Sequence, residues 1–561
     1  MERMNAQGIS RWQMRVRGMV LAVMVGMVST AWACTNLIVG KKASADGSVI
    51  CTYNCDGFGF AAPLSYLPAG RHEKGELQAI HGWGPEHENP FVTMPEYTYG
   101  VVGLMNDHQV SIVETTFDGR MELVNEEGLL DYFSLMKLAL QRSVTAREAI
   151  LCMDRLVQEY GYNSSGESFA VCDPNEAWIM EMMGKGPGRK GAVWVAMRVP
   201  DDCICAYANL SRIRQFPLKD KQNCLYAKDV ISFAREKGLY EGRDEDFSWR
   251  DTYCPIDFEN VRYGDARVWS FFRHHTADKV SWDKYLSYIN GDFSEYDHLP
   301  LWIKPDKPLT LREVMNDMRD HYEGTELDMS ADMSAGPWGS PYRNKDINFK
   351  APDGTTLFRE RPIGCQQSGM TMVCQMRSWL PDEVGGVTYF NMDDASMVAY
   401  VPCYCGIDRV PEPFRDENTN ILEFSEKSAF WMCNFVANMV YPRYSAMIGD
   451  LREAQTEMED YYELDQPKVE QAVEKMTRGE RIAYLTKKTD SYTTLMMQRW
   501  DKLARLLIVK HNDQIMRPSK DGVAVSGRYS APQYAPAFRE AIQQQTGKRY
   551  QPRTVIERRQ R

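Results

Sequence analysis

A hairpin signal near the amino terminus constrains the fold of this chain most strongly. The Asp46-Gly47 pair lies between two short apolar runs, and Asp-Gly is a preferred turn between paired strands. If the turn centres on this pair, residues face each other when their numbers sum to roughly 93, give or take a bulge. Cys34 then lies across from residues 54–59, a region that includes Asp56.

The first 33 residues have the organisation of an export signal. Four arginines precede an apolar run at residues 19–28, which is too short to span a bilayer. Small residues at Ala31 and Ala33 suit cleavage before Cys34. We therefore expect an exported protein, periplasmic or extracellular, whose mature form begins at Cys34.

The mature chain is strongly acidic. Without residues 1–33 it keeps 62 basic and 76 acidic residues, a formal charge of −14 that disfavours nucleic acid as a partner. No later apolar stretch is long enough for a membrane span.

The nine histidines and 14 cysteines form no cluster with metal-ligand spacing, so we expect neither a metal nor a cofactor. We interpret the cysteines as small buried residues rather than a disulfide framework. The sequence does not decide whether the chain forms a homo-oligomer.

Short strand-like runs alternate with helical stretches from residue 34 to about residue 420. The apolar runs come in pairs around turns, which favours antiparallel hairpins, and helical spacing covers residues 126–141 and 145–160. This alternation predicts an α+β fold whose sheets are covered by helices. The spacing of apolar residues over 424–515 predicts a helical C-terminal extension. Residues 516–561 are predicted to form a partly ordered tail.

An amino-terminal cysteine combines a nucleophile and a base in one residue. Its α-amino group has an ordinary pKa of about 7.7–8.0, so it accepts the thiol proton near neutral pH without a histidine. The thiolate is the attacking species. A carboxylate such as Asp56 orients the amine by hydrogen bonding. The alternative is that Cys34 merely follows the cleavage site.

The opening block, residues 34–48, resembles the start of the dipeptidase-A family of cysteine peptidases. These are relatives of penicillin V acylase and bile-salt hydrolase among the N-terminal-nucleophile hydrolases. The resemblance continues through residues 103–116, 165–169, 208–213 and 428–438, so it covers most of the mature chain. It implies a four-layer αββα sandwich, to which residues 424–515 are added, and hydrolysis of amide bonds with dipeptides as the usual substrates.

Carried over position by position, the resemblance implies a role for five residues. Cys34 is the nucleophile, and Asp56 is the carboxylate that holds its amine. The backbone amide at Asn106 and the side-chain amide of Asn209 would face the developing oxyanion. Arg267 is a weaker match to a late arginine of the acylase relatives.

Three of these residues also have purely structural interpretations. Asn106 could take a turn position, because asparagine tolerates left-handed backbone. Asn209 could be a buried amide satisfied by the backbone, and Arg267 an exposed or ion-paired side chain.

One departure from the family pattern concerns the strand before Asp56. The relatives commonly have Arg-Asn-x-Asp where this chain has Tyr-Asn-Cys-Asp at residues 53–56. Tyr53 donates a hydrogen bond but carries no positive charge near neutral pH. How the pKa of the Cys34 thiol is lowered is therefore left open.

Two other functions fit parts of the sequence. An N-terminal-nucleophile amidase of acylated amines, of the penicillin V or bile-salt amide type, would use the same cysteine, but those relatives generally lack the long helical C-terminal region. A surface lipoprotein anchored at Cys34 would have its sulfur in a thioether, which excludes catalysis. Ala31-Trp32-Ala33 is a poor lipid-attachment signal, because a larger aliphatic residue is preferred at the first position.

Overall fold

The structure, a computed structural model, describes residues 34–80, 90–343, 350–357 and 360–551. The predicted export signal, residues 1–33, lies outside the described residues. The strands of the two main sheets are, in chain order, β1 Asn36–Val39, β2 Val49–Asp56, β3 Tyr66–Leu67, β4 Val101–Val102, β5 Met105–Asn106, β6 Ser111–Phe117, β7 Gly166–Cys172, β8 Ala177–Gly184, β9 Ala192–Val199, β10 Ile204–Tyr207, β11 Cys224–Tyr226, β12 Trp302–Ile303, β13 Ser368–Met376, β14 Val387–Asn391 and β15 Val401–Tyr404.

Both sheets are antiparallel. The first has the strand order β12-β10-β1-β2-β13-β14-β15, and the second has the order β11-β9-β8-β7-β6-β5-β4-β3. The two sheets contact each other where β1 and β2 pack on β6 and β7. Strands β2, β7 and β8 are buried along their whole length, as expected for strands covered on both faces.

Nine of the described helices have seven or more residues. They are α1 Tyr132–Leu140, α2 Ala146–Tyr160, α3 Val230–Glu236, α4 Ala266–His274, α5 Leu311–Asp317, α6 Ala429–Val440, α7 Tyr444–Val473, α8 Arg478–His511 and α9 Pro536–Thr546. Helices α1 and α2 contact the second sheet, and α7 and α8 contact β15 of the first. The predicted α+β class with antiparallel strands and a helical C-terminal region is confirmed.

The register of the first hairpin differs from the predicted one. Ile38 pairs with Cys51, so paired residue numbers sum to 89 rather than 93. The backbone makes a helical turn first, with the amide of Ser44 donating to the Gly40 carbonyl, and this turn moves the centre of the hairpin toward the amino terminus. Extended to the strand end, the register places Cys34 opposite Cys55, within the predicted region.

The first predicted helix begins later than the sequence pattern indicates. Helix α1 starts at Tyr132, where the Asp131 carboxylate caps it by accepting from the Ser134 amide at 2.7 Å. The preceding segment makes a turn in which the Gly128 amide donates to the Asn125 carbonyl, and Leu130 then forms a bridge with Tyr162. Tertiary pairing therefore overrides helical spacing over residues 126–131. The second predicted helix is confirmed, because α2 covers residues 146–160 with Thr145 as its cap.

All fourteen cysteines are buried and unpaired, which agrees with their interpretation as small buried residues. Within the described part of the chain, no helix is both long enough and apolar enough to cross a membrane.

Candidate active site

The backbone of Cys34 is fixed at the start of β1 by side chains from elsewhere in the fold. Its carbonyl oxygen accepts a hydrogen bond from the Thr115 hydroxyl at 3.2 Å and one from the Arg267 guanidinium at 2.8 Å. The next residue, Thr35, forms a bridge with Asn54 on β2. The residue is completely buried in the full-length chain. Its position is therefore set by strand pairing and by two polar side chains.

The sulfur of Cys34 lies beside two polar groups. Its Sγ atom is 3.7 Å from the Tyr53 hydroxyl and 3.7 Å from Oε1 of Glu114. The Tyr53 hydroxyl donates to the same Glu114 oxygen. Burial raises the pKa of the Cys34 thiol, and neighbouring Cys55 and Glu114 raise it further. In the full-length chain, where the Cys34 nitrogen is a peptide amide, the sulfur is thus held as a thiol.

Glu114 belongs to a pair of buried carboxyl groups. Glu114 pairs with Phe169 across β6 and β7, and Thr116 pairs with Glu167, so the two glutamates lie diagonally on one face. Burial raises the pKa of Glu114 to about 7. Burial and the charge of Glu114 raise the pKa of Glu167 well above its ordinary value. The pair holds at least one proton near neutral pH, which limits the negative charge beside the sulfur.

Asp56 ends β2 and is completely buried. Its carboxylate accepts from the Arg361 guanidinium at 2.6 Å and from the Ser368 hydroxyl. Strand pairing places Ser368 directly opposite Asp56 on β13. A buried carboxylate held by an ion pair and a hydroxyl is strongly oriented, since each oxygen has a defined partner.

Arg267 connects the two ends of the candidate site. It lies on α4, is completely buried, and donates from Nη1 to the Cys34 carbonyl and to the Thr35 hydroxyl, the latter at 2.7 Å. Its Nη2 donates to Oδ1 of Asn209 at 2.8 Å. Burial, followed by the nearby charge of Arg361, lowers the pKa of Arg267 to about 10, so the guanidinium stays charged at neutral pH. Arg267, the weaker match to the family pattern, therefore contacts the predicted nucleophile directly.

Asn209 follows β10 with a left-handed backbone, φ +52°. Its Nδ2 donates to the Thr116 carbonyl at 2.6 Å, and its backbone amide donates to the Thr115 hydroxyl at 3.0 Å. Thr115 in turn holds the Cys34 carbonyl. Asn209 is thereby tied to the same cluster as Cys34 and Arg267.

The structure gives Asn106 a different environment. Its backbone amide, which was expected to face an oxyanion, donates to the Val110 carbonyl at 2.9 Å. Its side-chain amide donates to the carbonyls of Leu140 and Ser143, and its Oδ1 accepts from two backbone amides. The backbone and Oδ1 bonds close a turn between β5 and β6, and the Nδ2 bonds attach this turn to the segment that ends α1. Together they use the donors that the oxyanion role requires. The geometry therefore supports the turn interpretation for Asn106 and not the predicted oxyanion role.

Four of the five predicted residues lie close together, three of them buried and Asn209 partly buried, and the sequence reasoning missed three others. Arg361 is 305 positions from Asp56 and becomes its neighbour only through the pairing of β2 with β13. Glu114 and Glu167 had a visible signal, because a carboxylate within an otherwise buried β-run is rarely accommodated without a role.

A large cavity opens beside this cluster. Its volume is about 880 Å³, and Gly57 and Ser368, which adjoin Asp56, form part of its wall. The cavity is large enough for a short peptide.

The sequence comparisons identify the chain as a cysteine peptidase. The family described as Peptidase family C69 matches residues 33–72 and 87–457, and the chain belongs to this family.

Several proteins named as dipeptidases are similar to the chain over most of its length. A protein named probable dipeptidase from Salmonella dublin is 26% identical over 401 residues, 67% of this chain and 81% of the relative. A probable dipeptidase from Latilactobacillus sakei is 23% identical over 481 residues, 82% of this chain and 92% of the relative. Dipeptidase A from Lactobacillus helveticus is 23% identical over 442 residues, 75% of this chain and 84% of the relative.

Proposed function

We propose that this peptidase is an exported dipeptidase whose nucleophile is the thiol of Cys34 and whose base is the α-amino group of the same residue. The observation that carries the proposal is the set of buried polar side chains that converge on Cys34: Thr115, Arg267, Tyr53 and Glu114. Burying such groups around a small residue costs stability, and perturbed buried groups of this kind concentrate at functional sites.

The proposed reaction begins after removal of residues 1–33. The freed α-amine accepts the thiol proton, and the thiolate attacks the carbonyl carbon of a peptide bond. The carbonyl oxygen becomes an oxyanion, toward which the side-chain amide of Asn209 would turn from the Thr116 carbonyl that it contacts in this structure. The α-ammonium then gives its proton to the leaving amine, the C–N bond breaks, and a thioester remains on Cys34. Water, deprotonated by the same amine, hydrolyses that thioester and releases the second product.

Asp56 has a supporting role in this mechanism. It follows Cys55, the residue opposite Cys34, and a carboxylate in this position stabilises the ammonium form of the Cys34 amine and orients it. Arg361 and Ser368 fix the carboxylate in turn. The amine is thus a base whose geometry and pKa are both set by the fold.

The dipeptide substrate class is supported by the names of the three relatives and by the family match. The proposal includes the four-layer N-terminal-nucleophile sandwich over residues 34–420, since two antiparallel sheets contact each other and helices contact both. It further includes the helical extension at 424–515, the tail at 516–561 and cleavage before Cys34. The family match begins at residue 33, which adjoins this cleavage point.

Two variants test the proposed nucleophile. Cys34→Ala removes the sulfur and little volume, so we expect no dipeptide hydrolysis from a protein that still unfolds cooperatively. Cys34→Ser keeps a hydroxyl with a much higher pKa, so hydrolysis should be severely impaired. Mass spectrometry of the mature amino terminus should show an unmodified cysteine. Substantial hydrolysis by the Cys34→Ala protein, or a lipid on the sulfur, would contradict the proposal.

A further inference from the structure

The cavity beside Asp56 has the lining of a site for a cation. Seven aromatic residues form much of its described wall: Phe58, Phe60, Trp338, Tyr342, Phe430, Trp431 and Tyr441. Asp393 is the one charged residue among the described lining residues, which include no lysine and no arginine. A carboxylate among aromatic rings attracts ammonium groups, because both the charge and the ring faces are negative.

Asp393 is a buried acid, and one of its carboxylate oxygens has no partner in the part of the chain that the structure describes. The residue is 1% exposed, and its Oδ1 accepts from Asn434 at 3.1 Å. Its Oδ2 is buried and has no hydrogen-bond partner among the described residues. The backbone of Asp393 is left-handed, with φ +87°, a conformation that costs a non-glycine residue energy and often marks functional sites. Burial and neighbouring Asp394 raise the pKa of Asp393 well above its ordinary value, as expected for an acid that lacks a cation.

Strand order places Asp393 at the same end of the first sheet as Cys34. The amide of Asp393 donates to the Gly369 carbonyl on β13, and the preceding Ser368 pairs with Asp56 on β2, the neighbour of β1. The backbones of Asp393 and Cys34 are therefore separated by three strand spacings, about 14 Å. One substrate residue together with the two side chains covers a span of that size.

We propose that this cavity binds the α-ammonium group of the substrate, with Oδ2 of Asp393 accepting its hydrogen bond and the aromatic wall packing around the first side chain. The inference rests on the proposed dipeptidase function and adds its selectivity: the enzyme takes peptides with a free amino terminus and discriminates against N-acylated ones. In a dipeptide the α-ammonium lies two bonds from the scissile carbonyl carbon. Recognition of this ammonium thereby fixes which peptide bond lies at the sulfur.

Binding to a catalytically inactive protein tests the inference without requiring hydrolysis. Titration calorimetry would compare phenylalanyl-alanine with N-acetyl-phenylalanyl-alanine, using protein that begins at residue 34 and carries Cys34→Ala. We expect the free dipeptide to bind at least 10-fold more tightly. Asp393→Asn should weaken binding of the free dipeptide roughly 10- to 100-fold, as for loss of a charge-assisted hydrogen bond, and leave the acetylated peptide unchanged. Asp416→Asn, at an exposed aspartate lining a separate cavity, is the matched control and should change neither affinity.

Equal binding of the two peptides, or no measurable binding of the free dipeptide, would overturn the inference. An equal loss for both peptides on Asp393→Asn would also overturn it, since that pattern indicates a structural role. If the Asp393→Asn protein fails to fold, a competition experiment in the parent protein takes its place, with phenylalanine amide competing against the dipeptide. Competition supports the ammonium site, and absence of competition overturns the inference. A parent protein that discriminates in binding while the active enzyme hydrolyses neither peptide would refute the dipeptidase proposal and leave the ammonium site standing.

Discussion

The guanidinium of Arg361 lies 2.6 Å from the carboxylate of Asp56, although 305 positions separate them in the chain. Both side chains are buried, with Asp56 completely so. The positive charge beside Asp56 therefore comes from a distant segment, and the chain has the uncharged Tyr53 on the strand that leads to Asp56. We interpret this ion pair as the element that sets how strongly Asp56 acts on the amine of Cys34.

Substitutions at the two members of this pair should shift the pH dependence of turnover in opposite directions. Asp56→Asn removes the negative charge that favours the ammonium form, so the acidic limb of the pH–rate profile should move to lower pH, by about one unit. Arg361→Gln leaves Asp56 uncompensated, so the limb should move to higher pH, and Arg361→Lys should restore part of the original profile. Initial rates from pH 5 to 9, with thermal unfolding to confirm folding, provide the measurement. Unmoved profiles in folded Asp56→Asn and Arg361→Gln proteins would contradict this role.

Loss of the Arg267 guanidinium should reduce kcat on the order of 100-fold, because misplacement of a reacting group by about 1 Å has that effect. Arg267→Lys keeps the charge but loses the fork that reaches Cys34, Thr35 and Asn209 together. Arg273→Lys, on the same helix and paired with Asp283, is the control and should retain activity. Steady-state kinetics on a dipeptide decide the matter: wild-type kcat in Arg267→Lys would rule out the positioning role.

Removal of the Asn209 side chain should lower kcat by about 10²–10³ and leave the shape of the pH–rate profile unchanged. The oxyanion exists only along the reaction path, so KM should change little. Because Asn209 has a left-handed backbone, Asn209→Gly removes the side chain without the strain that Asn209→Ala adds. The two variants should therefore lose kcat alike. If kcat falls in the Asn209→Ala protein but is close to wild type in the Asn209→Gly protein, the role of Asn209 lies in its backbone geometry and not in its side chain.

The fold was more predictable from the sequence than the site. Hairpins and the C-terminal helices have strong local signals, since apolar periodicity and turn residues act within a few positions of each other. Cys34 and Asp56 could be placed near each other because one hairpin joins them. Arg361 could not, because its contact depends on β13 pairing with β2. The hydrogen bonds of Asn106 to a turn and to distant carbonyls could not be predicted either, because sequence does not show which donors a turn uses.

The buried carboxyl pair should make stability depend on pH. The pKa of Glu114 in the fold, about 7, lies above its unfolded value of about 4.3, so its stabilising contribution is complete below pH 4 and is lost as pH rises through 7. Because glutamine does not titrate, the Glu114→Gln protein does not lose this stability as the pH rises. Relative to wild type, it should gain stability between pH 4.5 and 8, by up to about 3 kcal/mol. Thermal unfolding against pH measures the difference, with Glu241→Gln at an exposed position as control. Parallel curves for wild type and Glu114→Gln would show that Glu114 is already ionised in the fold.

The most direct test of the central claim compares two proteins that differ only before Cys34. One begins at Cys34, and the other carries a single uncleaved methionine ahead of it, with mass spectrometry confirming both termini at the end of the assay. The account predicts dipeptide hydrolysis by the first protein alone, because the methionine converts the α-amine, the proposed base, into a peptide amide. Removal of the methionine with an aminopeptidase should restore activity. Hydrolysis at equal rates by both proteins, with the methionine still attached, would contradict the account.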